Sequence, residues 1–231
     1  MRSRRSFRSV PDFRALALLV MGLLSCSGAL AASLAGSVEL LDADGERIDD
    51  ASELLATVVY FTPNDPALRA VSPGQALLTT ERRQFVPRVL VIETGTTVRF
   101  PNSDPILHNV FSSSPGNRFD LGLYGRSDGE THRFDTPGLV RVFCNVHSSM
   151  SAHIVVVDTP HHLRPDGNGR FRFDDLPSGP GRLTVWHERS EPLLLDIDLD
   201  QASVELEPIQ LQLTVRQIEP QRQRLRRRGR Y

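Results

Sequence analysis

The run Val142-Phe-Cys-Asn-Val-His-Ser-Ser-Met carries a thiol, an imidazole and a thioether at Cys-x2-His-x2-Met spacing: Cys144, His147 and Met150. A thiolate and imidazoles in trigonal array, with a weak axial thioether, form the donor set of a type 1 (blue) copper site. A short turn between two strands aims three side chains at one point, so the spacing suits a single ion. The remaining imidazole must come from a neighbouring strand, and Leu107-His-Asn-Val-Phe supplies His108. Each residue type also has a plainer use. A lone Cys on a strand is usually a small buried hydrophobe, and a Met beside a strand is usually core. The four donors at this spacing are what point to copper. His153, three residues past Met150, is an alternative donor, although alternation from Met150 equally suits a strand residue with a surface role. His161-His162 reads as the solvated start of a strand, and His132 and His187 as structural.

Residues 1–32 have the layout of a secretory signal: five Arg, an apolar run from Ala15 to Leu24, and small residues at Ala29-Leu-Ala31 for cleavage. Ser3-Arg4-Arg5-Ser6-Phe7 resembles a twin-arginine export signal, and Leu24-Ser25-Cys26 weakly resembles a lipoprotein cleavage site. Cleavage near Ala31 removes Cys26, Met1 and Met21, which leaves Cys144 and Met150 as the only sulfur side chains. A periplasmic or secreted location is therefore expected, where a single Cys has no internal disulfide partner.

The 231 residues suffice for one large or two small domains, with 39% hydrophobic and 24% charged residues as in soluble globular proteins. From Ala32 to Val215 there are 15 Arg against 26 acidic residues, a net of −11, whereas residues 216–231 carry a net of +6. The acidic body argues against nucleic acid as a partner. The Arg-rich tail is expected to be a disordered, solvated end, with contact to a membrane surface as its alternative use. There is no P-loop and no zinc His-Glu-x-x-His, so a metal-binding protein or electron carrier is expected rather than an enzyme.

Positioning these donors falls to strands. Gly36-Ser-Val-Glu-Leu-Leu, Ala56-Thr-Val-Val-Tyr-Phe, Arg88-Val-Leu-Val-Ile, Thr97-Val-Arg-Phe, Val140-Arg-Val-Phe and His153-Ile-Val-Val-Val are short and β-branched, with turn residues between them. Arg170-Phe-Arg-Phe, Arg182-Leu-Thr-Val-Trp, Leu193-Leu-Leu-Asp-Ile-Asp-Leu and Val204-Glu-Leu-Glu-Pro-Ile-Gln-Leu-Gln-Leu follow, Pro208 marking an edge or a bulge. The pattern predicts an all-β sandwich protein.

Gln84-Phe-Val-Pro-Arg-Val-Leu-Val-Ile-Glu-Thr-Gly-Thr-Thr-Val-Arg-Phe-Pro-Asn resembles the strand, turn and strand that precede the first ligand in the plastocyanin and amicyanin family of cupredoxins. His108-Asn109-Val110 resembles the family's first-ligand motif, and the Cys-x2-His-x2-Met loop is most similar to that of amicyanin. The resemblance spans residues 75–158 and implies a Greek-key copper domain there. It implies one type 1 copper with His108, Cys144 and His147 equatorial and Met150 axial, and Asn109 hydrogen bonding near the sulfur. It also implies single-electron transfer with a redox protein such as a cytochrome, through His147 at the solvent edge, with Pro105, Ile106, Val146 and Ser148 in the docking rim. A copper-binding or delivery protein without redox work uses the same ligands. Related loops usually carry Pro beside the second His, where this chain has Val146 and Ser148.

Residues 166–185, Asp-Gly-Asn-Gly-Arg-Phe-Arg-Phe onward, resemble the second half of carboxypeptidase-regulatory, transthyretin-like domains, and Gly36-Ser-Val-Glu-Leu-Leu through Val58-Val-Tyr-Phe resembles the first half. The chain then divides into a signal (1–32), N-terminal strands (33–74), a copper domain (75–158), a transthyretin-like module (159–215) and the tail (216–231). The copper domain is either nested inside that sandwich or in tandem with it. The whole chain is similar to bacterial methylamine-utilisation proteins that join the two modules.

Overall fold

A computed structural model describes residues 31–200 and 203–213. Residues 1–30 of the expected signal (1–32) and the basic tail lie outside the described residues, while Ala31 and Ala32 already belong to the first strand. Among the described residues the chain forms eighteen strands, one helical turn α1 (Ala51–Leu54) and one 3-10 turn (Pro66–Leu68). The all-β expectation holds. The helix is capped by Asp50, whose side chain accepts from Ser52 N, but no apolar repeat follows to extend it. No helix among the described residues is long and apolar enough to cross a membrane.

The strands make four sheets. In the first, β1 (Ala31–Leu41) pairs antiparallel with β14 (Arg170–Pro177) and parallel with β17 (Ser203–Glu205) and β18 (Ile209–Gln212). The sequence pattern predicts one strand through Pro208, but there are two. Proline has no N–H to give a ladder, and the chain resumes pairing farther along β1. The second sheet runs β13 (His162–Leu163), β2 (Val58–Pro63), β15 (Pro180–Trp186), β16 (Leu193–Asp198). The third runs β6 (Val89–Glu93), β12 (Ser151–Val157), β11 (Gly138–Phe143), β8 (His108–Ser112), β9 (Phe119–Tyr124). The fourth runs β10 (Ser127–Arg133), β7 (Thr97–Asn102), β4 (Thr79–Glu81), β5 (Gln84–Val86), with β3 (Gln75–Leu77) also on β7. In these ladders β1 and β2 pair with strands that follow residue 161, and β3 to β12 pair among themselves.

Alternation along β2 and β12 explains how the sheets stack. Val59 and Phe61 face one core with Leu34, Leu40, Phe171 and Leu183. Ala152, Ile154 and Val156 face another with Phe100, Val110, Phe134 and Val142. The residues between them, Val58 and Tyr60 on β2 and Val155 and Val157 on β12, meet in a third cluster with Val89 and Trp186. Successive strand residues point to opposite faces, so both strands are buried on two sides. That is why 58–61 and 154–157 read as unbroken apolar runs.

A buried set of charges borders this third cluster. Glu53 of α1 is 5% exposed and meets His187 Nε2 at 3.2 Å, Arg88 at 3.3 Å and Arg189 at 3.6 Å. Glu188 meets Arg88 Nε at 3.0 Å and His153 Nδ1 at 3.2 Å. Both imidazole nitrogens lie close to a carboxylate but off the hydrogen-bonding line. Arg164 donates to Leu55 O at 2.6 Å and to Val89 O, and so ties the second and third sheets together. His187, with Arg88 and Arg189, outweighs burial and holds the Glu53 carboxyl down at about 2. An unfolded chain takes up that proton near the usual 4.5. The contribution of Glu53 is therefore complete above pH 5 and fades as pH falls toward 2, with an upper bound on the order of 3 kcal/mol. Urea denaturation of wild type and Glu53→Gln should show a stability gap at pH 7 that shrinks progressively between pH 5 and 2. A gap independent of pH would show that the carboxylate charge is not what stabilises this junction.

Candidate metal centre

The ligand loop is what remains when β11 and β12 stop pairing. Their last register pair is Phe143 with Ser151, so Cys144 and Met150 begin and end the connecting loop and His147 lies midway. Met150 N donates to His147 O at 2.9 Å and closes the turn. Neighbouring β8 starts at His108 and meets β11 at Phe111 and Phe143. The donor atoms of His108, Cys144 and His147 come within 4.8 Å of one another. Cys144 Sγ lies 3.8 Å from His108 Nδ1, and the two imidazole centroids are 4.8 Å apart. His108, Cys144 and Met150 are buried, and His147 is partly exposed. Met150 packs in the same apolar core as Cys144.

The donor chemistry fits a soft metal ion. Ligands held roughly 2.0 and 2.3 Å from one ion lie about 3.7 Å apart when they subtend about 120°, close to the sulfur–nitrogen separation here. His147 Nδ1 is buried without a hydrogen-bond partner, a costly state for a polar atom unless something else engages it. Burial, with a smaller push from the neighbouring Arg83 charge, lowers the His147 pKa and favours the neutral, ligating ring.

Three residues outside the ligand motif shape the site. Asn102, 1% exposed, donates to Ile106 O at 2.9 Å and Tyr124 O at 3.2 Å and accepts from Asp104 N at 2.9 Å. The loop before His108 is thereby fixed. Asp104 Oδ2 lies 3.0 Å from His108 Nε2, so the other ring nitrogen, Nδ1, is left facing the sulfur. Burial pushes the Asp104 carboxyl up, but amide hydrogen bonds from Arg83 and Arg82, with His108, bring its pKa down overall. Tyr124, opposite His108 on β9, donates to Phe100 O at 2.9 Å. Sequence reasoning missed Asp104, although a carboxylate four residues before a ligating His is a usable signal.

One expectation is corrected and one alternative is closed. Asn109 does not reach toward the sulfur: its amide donates to Asp120 Oδ1 at 2.6 Å and Gly122 O at 3.1 Å, tying β8 to β9. His153 is no substitute ligand, because β12 turns it away from the site toward Glu188 and Trp186. His132 is structural, stacked on Phe119 at 4.5 Å and edge-on to Phe134. His162 Nε2 lies 3.6 Å from Glu93 Oε1, away from the candidate centre. Gly125-Arg-Ser-Asp-Gly129 has the Gly-x-Ser-x-Gly spacing of a hydrolase nucleophile elbow. It joins two strands and leads into no helix, and Ser127 Oγ accepts from Gly129 N at 3.2 Å. It therefore lacks the strand–turn–helix setting of that motif. Gly129 serves the ladder instead: at φ 80° it sits where β10 shifts register, and a Cβ there would strike the Phe100 carbonyl.

No protein-family model matches the chain, and no curated protein does either. Among solved structures the chain is similar to cupredoxins. A purple cupredoxin from Nitrosopumilus maritimus is 23% identical over 36% of this chain and 99% of its own, with a TM-score of 0.32. Amicyanin, in the reduced Cu(I) form of a mutant, is 17% identical over 42% of this chain and 99% of its own, at 0.34. The copper-containing nitrite reductase of Thermus scotoductus SA-01 is 28% identical over 38% of this chain, which spans 23% of that enzyme, at 0.33.

Proposed function

We propose that the chain is a periplasmic type 1 copper protein that passes single electrons, with His108, Cys144, His147 and Met150 as its ligands. The carrying observation is the convergence of His108 Nδ1, Cys144 Sγ and His147 at the partly exposed end of a β-sandwich. Copper bound there would supply a one-electron couple. The protein's part is to hold the donors still. Cys144 and His108 are set by strand ends and buried, so there is little room for rearrangement between oxidation states. His147 lies at the edge between exposed Val146 and Ser148, where a redox partner such as a cytochrome would dock. Exposed Pro105 and Leu107 extend that rim beside partly buried Ile106. The net charge of −11 from Ala32 to Val215 favours a basic partner and a salt-sensitive association rate.

Cyclic voltammetry of the copper-loaded protein, followed by stopped-flow mixing with a reduced c-type cytochrome, tests the reading. A reversible one-electron wave and rapid electron exchange are expected. Copper bound without a reversible wave would instead make this a copper-binding or delivery protein. A narrower expectation concerns Met150. A thioether in the axial position is a weak ligand, so Met150→Gln should retain colour and copper while the potential falls. Visible spectra and voltammetry of the variant check this, and complete loss of copper would assign Met150 a different role.

A further inference from the structure

The hairpin β4–β5 pairs Glu81 with Gln84, leaving Arg82 and Arg83 as a two-residue turn. Both have positive φ, 55° and 59°. Such a turn favours Asn-Gly or Gly-Gly, since a side chain is strained in that region. Something must hold two arginines there, and Asp104 does. Its Oδ1 accepts from Arg82 N at 2.7 Å and its Oδ2 from Arg83 N at 2.8 Å. The same Oδ2 faces His108 Nε2 at 3.0 Å. Asp104 is 8% exposed, and its own N–H is fixed by Asn102, so the carboxylate has little freedom to turn away.

We propose that Asp104 is a positioning residue through which the Arg82–Arg83 turn fixes the ring of His108. The carboxylate accepts the Nε2–H, which leaves the lone pair of Nδ1 directed toward Cys144. The two turn amides keep the carboxylate in the one orientation that does this. A hairpin more than twenty residues before the first ligand thus sets that ligand's tautomer and tilt. The arginine side chains take no part in this; the backbone amides do.

The inference rests on the copper reading for its purpose, but its first test needs no metal. Long-range 1H–15N correlation spectra of the metal-free protein at pH 8 report the tautomer of each imidazole. His108 should be protonated at Nε2 in wild type. It should remain so in Arg82→Asn/Arg83→Gly, which keeps both amides in a sequence that favours the turn. In Asp104→Ala the His108 signals should pass to a mixture of tautomers. Asp104→Asn fills the same volume, cannot satisfy the ring and both turn amides at once, and carries the test if the alanine variant does not fold. Copper(I) affinity, measured by chelator competition, should then fall 10- to 100-fold in Asp104→Asn and be unchanged in the turn variant. A wild-type tautomer in the folded Asp104 variants would overturn the proposal, as would undiminished copper(I) affinity in Asp104→Asn. An Asp104-dependent tautomer in a protein that binds no copper would sink the copper reading and leave the positioning role standing.

Discussion

Copper(II) added to the metal-free protein is expected to turn it intensely blue at one copper per chain, and Cys144→Ser is expected to leave it colourless. The colour of such a site comes from charge transfer between a thiolate and copper, and a serine oxygen provides no equivalent donor. Cys144 is the sole cysteine among the described residues and lies 3.8 Å from His108 Nδ1, so no other thiol there replaces it. The substitution exchanges one atom at a loop end, and the β11–β12 ladder through Phe143 and Ser151 does not depend on it. The metal-free variant should therefore keep a cooperative thermal transition close to that of wild type. Absorption spectra and copper analysis on the same samples decide the matter. A colourless wild type at full copper loading would rule out a type 1 site.

The ligand loop was legible because its three donors are local: spacing alone determines that a short connection between two strands gathers them. His108 required one further step, a motif on a neighbouring strand. The support beneath His108 was not legible. Asp104 meets Arg82 and Arg83 only because β4 lies against β7, where Thr80 is paired with Asn102. Nothing in the local pattern of Thr-Thr-Glu-Arg-Arg-Gln-Phe announces that pairing, and two arginines at positive φ contradict turn preference outright. His153 shows a different limit. Alternation from Met150 was readable, but β12 is apolar on both faces, so polarity could not show which face looked toward the site. Strand β10, Ser-Asp-Gly-Glu-Thr-His-Arg, offers no apolar alternation at all, and its seven-residue span follows from backbone pairing with β7. The charged set around Glu53 was invisible for the same reason as Asp104: its members come from α1, the residue before β6, β12 and the segment after β15.

Residues 75–158 expressed alone are expected to fold, bind copper and turn blue, but with reduced stability. The third and fourth sheets draw every strand from within that span, and their shared core runs from Leu78 to Val156 without outside help. All four proposed ligands are included. What the fragment loses is cover. Val89, Val155 and Val157 are 2–5% exposed in the whole chain because Ala56, Val58 and Trp186 lie against them. Stripping one face from three valines costs roughly 3–5 kcal/mol at the usual value of buried apolar surface. Arg88 also loses both Glu53 and Glu188. The exposed apolar face should make the fragment associate, and Val155→Thr with Val157→Thr should restore a monomer without changing the visible spectrum. Sedimentation, urea denaturation and the blue absorption band together give the test. A fragment that stays unfolded until residues 36–61 are restored would show that β1 and β2 are needed to form the copper sandwich. A folded, blue, less stable fragment would instead place the copper site in an independent module that the sheet of β2 and β15 merely caps.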